Sequence, residues 1–425
     1  MLPVVQGVIF HWLGGLASGS FYVPYKAVRK WSWEVYWLAG GFFSWIIAPW
    51  VLGFCLTNDL VPTITEAWRT NPDAVKHAYM FGALWGIGGL TFGLTMRYLG
   101  MSLGMAVALG LCTVLGTVLP DVYNQSILQH IKSEPPYVVI LLGLGVCLLG
   151  VILAGVAGAS KEREMSEDVK KASIKEFSFF KGIFVALISG LFSACMAFGL
   201  QAAEPVATIS IAHGTEKLWS GLPKLCVVLL GGFTTNFVWC LLLLLKNGTL
   251  YQFFTRTIDD PDNPGEKVKI CYLWNLFFSA LAGTTWYFQF FFYSMGETKM
   301  GEYQFSSWTL HMASIIIFSS LWGLALREWK GSSKFTKFIL GVAIFTLLYS
   351  TITVGYGNLM KQQAPAAEPA AASTTLDPTT DATQDAIEAA TNAISNAVEK
   401  TAEAVETATE AAADAISNAA ENAVE

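Results

Sequence analysis

PYVVILLGLGVCLLGVILAGVAGA (136–159) runs into SKEREMSEDVKKASIKEFSFFK (160–181), which gives way to GIFVALISGLFSACMAFGLQAA (182–203). Neither flanking run holds an Asp, Glu, Lys or Arg, whereas the segment between them carries Lys161, Arg163, Lys170, Lys171, Lys175 and Lys181. A helix crosses a bilayer with about 20 mainly apolar residues, and each flanking run supplies them. Working outward, further runs of this kind lie at 3–25, 33–57, 78–96, 101–120, 220–245, 272–295, 308–326 and 336–359. Ten spans are expected, five on each side of the charged segment. Strands that alternate between lipid and a polar lumen have no counterpart in these runs. The expected fold is an all-α polytopic membrane protein: a first five-helix repeat (1–159), a cytoplasmic linker (160–181), a second repeat (182–360) and a tail (361–425).

Composition agrees. Of 425 residues 53% are hydrophobic and 14% charged, against about 25% charged in soluble domains. That excludes a soluble enzyme, a disordered chain and a nucleic-acid binder. The net charge of −6 comes from the tail, where twelve acids face only Lys361 and Lys400; residues 1–360 carry +4. Cys55, Cys112, Cys147, Cys195, Cys226, Cys240 and Cys271 form no C-x-x-C pair and read as small buried hydrophobes, not as a metal site or disulfide frame. The first 24 residues lack a basic start and an A-x-A site, so a retained first helix is expected.

Eighteen of the 26 basic residues fall in the loops after spans one, three, five, seven and nine. Cytoplasmic loops collect Lys and Arg, so both termini are expected outside. The halves also echo each other. Gly7, Gly15, Leu16 and Ser18 match Gly182, Gly190, Leu191 and Ser193; Gly82, Trp85 and Gly100 match Gly283, Trp286 and Gly301. A repeat of five spans must invert in the membrane, the plan of many secondary transporters with a substrate site between the halves. Glycines four apart, such as Gly15/Gly19, Gly82/Gly86, Gly89/Gly93 and Gly100/Gly104, suit close helix packing. The tail repeats every eleven residues (382–392, 393–403, 404–414, 415–425), placing Ile394, Val405 and Ile416 on one thin stripe. Such a stripe makes a conditional helix, dispensable for the core activity, with an unknown partner.

Six stretches carry a family resemblance: FYVPYKAVRKWSWE (21–34), FGALWGIG (81–88), GLTMRYLGMSLG (93–104), WYFQFFFYSMG (286–296), SSWTLHM (306–312) and LREW (326–329). On these, residues 1–360 resemble the bacterial L-rhamnose–proton symporter family of the drug/metabolite transporter superfamily. The resemblance implies uptake of L-rhamnose, or a related deoxy sugar, with protons across the bacterial cytoplasmic membrane. Another small metabolite is the alternative. Gly89 stands where the family pattern has an asparagine and Glu204 where it has a basic residue; the 246–271 loop is longer and the acidic tail is added.

No Asp or Glu lies near a span centre, which leaves His11 and His311 as the titratable groups at depth. Intramembrane ionisable residues mark functional sites by default, and imidazole exchanges protons near neutral pH. These two are the candidates for proton coupling; a neutral histidine bonded to a carbonyl is the plainer alternative. Glu34 and Arg97, both at the cytoplasmic face, form a candidate gate unless each simply faces headgroups and water. Sugars are held by aromatic faces and amides, and Trp85, Trp286, Tyr287, Gln289, Tyr293 and Trp308 offer that mixture, against a plainer role in packing on lipid. An amide at Gln289, inside FQFFF, costs free energy if unpaired. GMSLG (100–104) matches G-x-S-x-G, so a serine hydrolase using Ser102 is a rival, although that motif needs a strand-to-helix turn. A scaffold acting through its tail is a third reading. Neither a metal nor a cofactor is expected.

Overall fold

In hydrocarbon every backbone N–H and C=O needs a partner, and a helix supplies one from within the same segment. The computed structural model describes residues 2–99, 101–123, 127–164, 179–259, 265–301, 306–326 and 329–363. The side chains of Arg97 and Ser102, most of the charged linker and the tail lie outside the described residues. The chain runs through α1 Pro3–Ser20, α2 Tyr22–Tyr25, α3 Trp33–Gly41, a π-helix Phe42–Ile47, α4 Ala48–Leu56, α5 Leu60–Thr70, α6 Pro72–Leu99, α7 Met101–Tyr123 and α8 Ile127–Ser133. It continues with α9 Pro135–Glu164, α10 Phe179–Ala202, α11 Glu204–Ala212, α12 Leu222–Lys246, α13 Tyr272–Glu297, α14 Ser306–Ala325 and α15 Lys334–Gln363.

Among the described residues six helical stretches are long and apolar enough to cross a membrane: Trp33–Leu56, Pro135–Lys161, Lys181–Ala212, Lys217–Lys246, Ser306–Ala325 and Lys334–Gln363. The molecule is a multi-pass membrane protein, and its surface agrees. Leu142 and Ile152 on α9 and Phe338, Phe345 and Ile352 on α15 are exposed, a pattern suited to lipid. The core lies where α6 packs on α10 and α12, and α13 on α1 and α3. Helix α7 lies against α10, α14 against α1, and α9 pairs with α15.

Four features differ from a plain chain of spans. Span two is broken by the π-helix, which precedes Pro49. A proline cannot donate to the carbonyl four residues back, and wider π turns absorb such a mismatch. Helix α5 buries Leu60, Thr63 and Ala67 on one side, the spacing of a one-faced helix. Strands β1 Thr257–Asp259 and β2 Lys267–Lys269 make an antiparallel hairpin with Ile258 opposite Val268, in the long loop where no regular structure is expected from the sequence. Finally, Cys55 and Cys271 are exposed while the other five cysteines are buried. Cys271 is the N-cap of α13 and Cys55 the penultimate residue of α4, helix ends where an apolar sequence does not ensure cover.

Candidate functional site

Helix α13 organises the centre. Trp286, Phe290, Tyr293 and Glu297 follow at i, i+4, i+7 and i+11, so they share one face of the helix. Trp286 meets Trp85 of α6 at 5.6 Å and Trp45 of the π-helix at 5.7 Å between ring centroids. Phe290 touches Trp85, Trp286 and the His311 ring. One turn on, Tyr293 lies 5.3 Å from the His11 ring and 5.3 Å from the His311 ring, with Trp308 at 5.9 Å. Apolar π-faces thus lead without interruption from the two tryptophans to the two histidines.

Small residues allow this convergence. A side chain at Gly14 would meet the Gln289 carbonyl at 2.8 Å and the His311 ring at 3.3 Å, and one at Gly296 would meet the His11 ring at 2.7 Å. The Ser314 hydroxyl donates to the carbonyls of His11 and His311 at 2.9 and 2.7 Å, fixing the backbone that carries both rings. The Trp308 indole N–H donates to the Cys112 carbonyl at 3.0 Å, and Thr117 and Thr309 share a hydrogen bond of 2.9 Å. These bonds set the rotamer of Trp308 and the spacing of α7 and α14.

Both histidines are buried, at 0% and 1% exposure. Among the described residues neither has a hydrogen-bond partner on either ring nitrogen. The plainer reading, a ring satisfied by a backbone carbonyl, lacks its bond. Gln289 Nε2, the Tyr287 hydroxyl and the Ser294 hydroxyl are likewise buried and unpartnered. Leaving a buried donor or acceptor unmatched costs about 1–3 kcal/mol, so the unmatched imidazole nitrogens of His11 and His311 on either side of Tyr293 make this the candidate site for a polar ligand or proton.

The structure brings together His11, His311, Trp85, Trp286, Tyr293 and Trp308. Tyr287 and Gln289 belong to the same helix but leave the shared stripe: the Tyr287 ring packs on Phe288 and Phe291, and the Gln289 backbone faces Gly14. Glu34 is 5% exposed and accepts hydrogen bonds from Asn247 Nδ2 at 3.0 Å and Thr249 Oγ1 at 2.7 Å. Its expected counterpart, the Arg97 side chain, lies outside the described residues. Ser102 stands in the first turn of α7, after the helix α6 instead of after a strand. Among the described residues no cluster of His, Cys, Asp and Glu is arranged to hold a metal. Trp45, Phe290 and buried Lys224 escape a sequence reading, since each sits in a run whose spacing singles out no face.

Comparison with known proteins fits this arrangement. The family model of L-rhamnose-proton symport proteins (RhaT) matches residues 2–360. The L-rhamnose-proton symporter of Yersinia pestis (strain Pestoides F) is 35% identical over 358 residues, covering 83% of this chain and 98% of the relative. That of Klebsiella pneumoniae (strain 342) is 34% identical over the same length and coverage. The family consists of transporters, which removes the serine hydrolase reading of GMSLG. On its central aromatic and histidine cluster, its multi-pass helices and a match over nearly all residues before the tail, the chain belongs to the L-rhamnose-proton symport family.

Proposed function

We propose that this protein imports L-rhamnose with protons across a bacterial cytoplasmic membrane, by alternating access between two inverted five-helix repeats. The carrying observation is the buried pair of unpartnered imidazoles held against Tyr293, at the end of an aromatic path from Trp85 and Trp286. In this reading the histidines take up the proton. Trp85, Trp286, Tyr293 and Trp308 hold the C–H faces and methyl of the sugar, and Gln289 and Tyr287 turn toward its hydroxyls.

Symmetric packing supports the repeat. Exchanging the halves sends the α6–α10 contact to α13–α1, α6–α12 to α13–α3, α7–α10 to α14–α1, and α9–α15 to itself; all of these pairs are in contact. Sequence-matched glycines occupy matched contacts. Gly82 faces the Val228 carbonyl on α12 and Gly283 faces the Gly40 carbonyl on α3, while Gly15 faces Ser314 on α14 and Gly190 faces Leu111 on α7. The matched Trp85 and Trp286 meet each other at the centre. The halves also differ, as alternating access requires. Among the described residues a Cβ built at Gly89 or Gly93 would meet nothing within 4 Å beyond its own helix, yet the offset that pairs Gly82 with Gly283 pairs them with Phe290 and Ser294, which are 3% and 1% exposed. A gate between Glu34 and Arg97 would form by trading away the bonds from Asn247 and Thr249.

Uptake of labelled L-rhamnose into proteoliposomes with an imposed inward proton gradient tests the reading. Concentrative uptake that collapses with a protonophore is expected. No uptake, where a known sugar symporter works in the same vesicles, would overturn it.

A further inference from the structure

Away from the histidines lies a second buried charge that the mechanism has not used. Lys224, in the first turn of α12, is 3% exposed. Its Nζ donates to Glu297 Oε2 at 2.7 Å and to Glu204 Oε2 at 2.9 Å. The first carboxylate ends α13 and the second begins α11, so three elements meet on one ammonium. The side chain of Glu297 is 13% exposed and that of Glu204 50%.

Charge counting sets this cluster apart from a structural ion pair. Among the described residues two carboxylates share one ammonium, which leaves this cluster with one net negative charge. Adding a proton brings the cluster to neutrality. Among the described residues the charges acting on Lys224 are those of Glu297 and Glu204. Toward the protein interior α13 presents Tyr293, one turn from Glu297, α1 presents His11 and α14 presents His311. The His11 ring lies against Gly296, the residue before Glu297, and the buried Ser294 hydroxyl beside Gly221 has no partner among the described residues. Glu297 is thus a partly exposed acid one turn from Tyr293 and next to the glycine on which the His11 ring packs.

We infer that Lys224 and the transported proton compete for the Glu297 carboxylate, so that this cluster is both the outer lock and the proton's point of entry. This rests on the proposed proton symport. A proton arriving from outside adds to a Glu297 oxygen, and the neutral acid lets go of the ammonium, which keeps Glu204. Helix α13 is then free to part from α12 and open the path to Tyr293 and the tryptophans. When sugar has bound and the outer side closes, Lys224 returns to Glu297 and the proton passes to a nitrogen of His11. No covalent bond to carbon changes, and charge balances at each step. Breaking this buried pair with the proton absent would strip the ammonium of one of its two carboxylates and leave the Glu297 charge unmatched, so the lock opens in step with protonation.

Glu297→Gln tests this because it keeps the shape and removes the titration. In proteoliposomes, exchange of labelled for unlabelled L-rhamnose without a gradient should persist, while gradient-driven accumulation is lost and exchange no longer varies with external pH. Glu297→Asp, which still titrates, should regain part of the accumulation. Accumulation by Glu297→Gln with an unchanged pH profile would overturn the inference. So would equal loss of exchange and accumulation in a protein that inserts normally, since Glu297 would then serve sugar movement or structure. Absence of L-rhamnose exchange in the unmodified protein would sink the substrate reading and this inference together.

Discussion

A histidine kept at 1% exposure or less, with both ring nitrogens unpartnered among the described residues, forgoes about 1–3 kcal/mol per unmatched group. Two of them facing one tyrosine make a purely structural role expensive. His11→Gln and His311→Gln keep hydrogen-bonding capacity and remove titration. At least one should lose pH-dependent accumulation of L-rhamnose while binding of the sugar, read by quenching of tryptophan fluorescence, survives. Unchanged accumulation and pH profile in both single variants and in the double variant would show that neither ring carries the proton. The histidines were legible in the sequence because charge at depth is rare, and the tryptophans because Trp85 and Trp286 recur at one offset. Lys224 was not. A lysine at the start of a span reads as an interfacial anchor, and its two partners lie 20 and 73 residues further off in the chain.

Elements are legible to the degree that one rule decides them. Six stretches satisfy length and apolarity alone. The π-helix answers to Pro49 and to the packing of Trp45 together, α5 to a one-sided pattern in a short polar stretch, and the β1–β2 hairpin to a register across seven intervening residues. None of these shows in a window of mean hydropathy. The α9–α15 pair has a feature of the same kind at one end. Glu164 accepts from the Ser333 backbone N–H, the Ser333 hydroxyl and the Thr336 hydroxyl, each at 2.6 Å. These bonds, those from Ser333 first, hold its carboxyl below the usual carboxylate range. A lowered folded value means the charged form is favoured in the folded state, so its contribution is present above the unfolded value and is lost as pH falls through the folded one. Glu164→Gln should therefore lower the melting temperature of the purified protein at neutral pH, and the gap from the unmodified protein should close on acidification below the ordinary carboxylate range. A gap independent of pH would mean that the charge of Glu164 does not support this helix pair.

For the whole molecule, orientation is the property that the sequence states most economically and that packing does not encode. Helices pack alike in either direction across a bilayer, whereas moving lysine and arginine through the membrane during insertion is costly, so their distribution biases which loops stay behind. Eighteen of 26 basic residues lie in the loops after odd-numbered spans, six of them in the 160–181 linker alone. On that bias we propose a cytoplasmic linker and both termini outside. In that proposed orientation Glu297, Lys224 and Glu204 would stand at the outer face, where an external proton would first meet them, and Gly89 and Gly93 in the cytoplasmic half of α6. Span one starts near Pro3, so His11 lies about 12 Å in at 1.5 Å per residue, within the outer half as an inward proton path needs. One experiment settles orientation independently of transport. A reporter active only in the periplasm should be active when fused after Met360 and inactive when inserted near Lys170. With the reverse pattern the Lys224 cluster would face the cytoplasm, the proton path would run against the gradient, and import by symport would have to give way to a different direction of coupling.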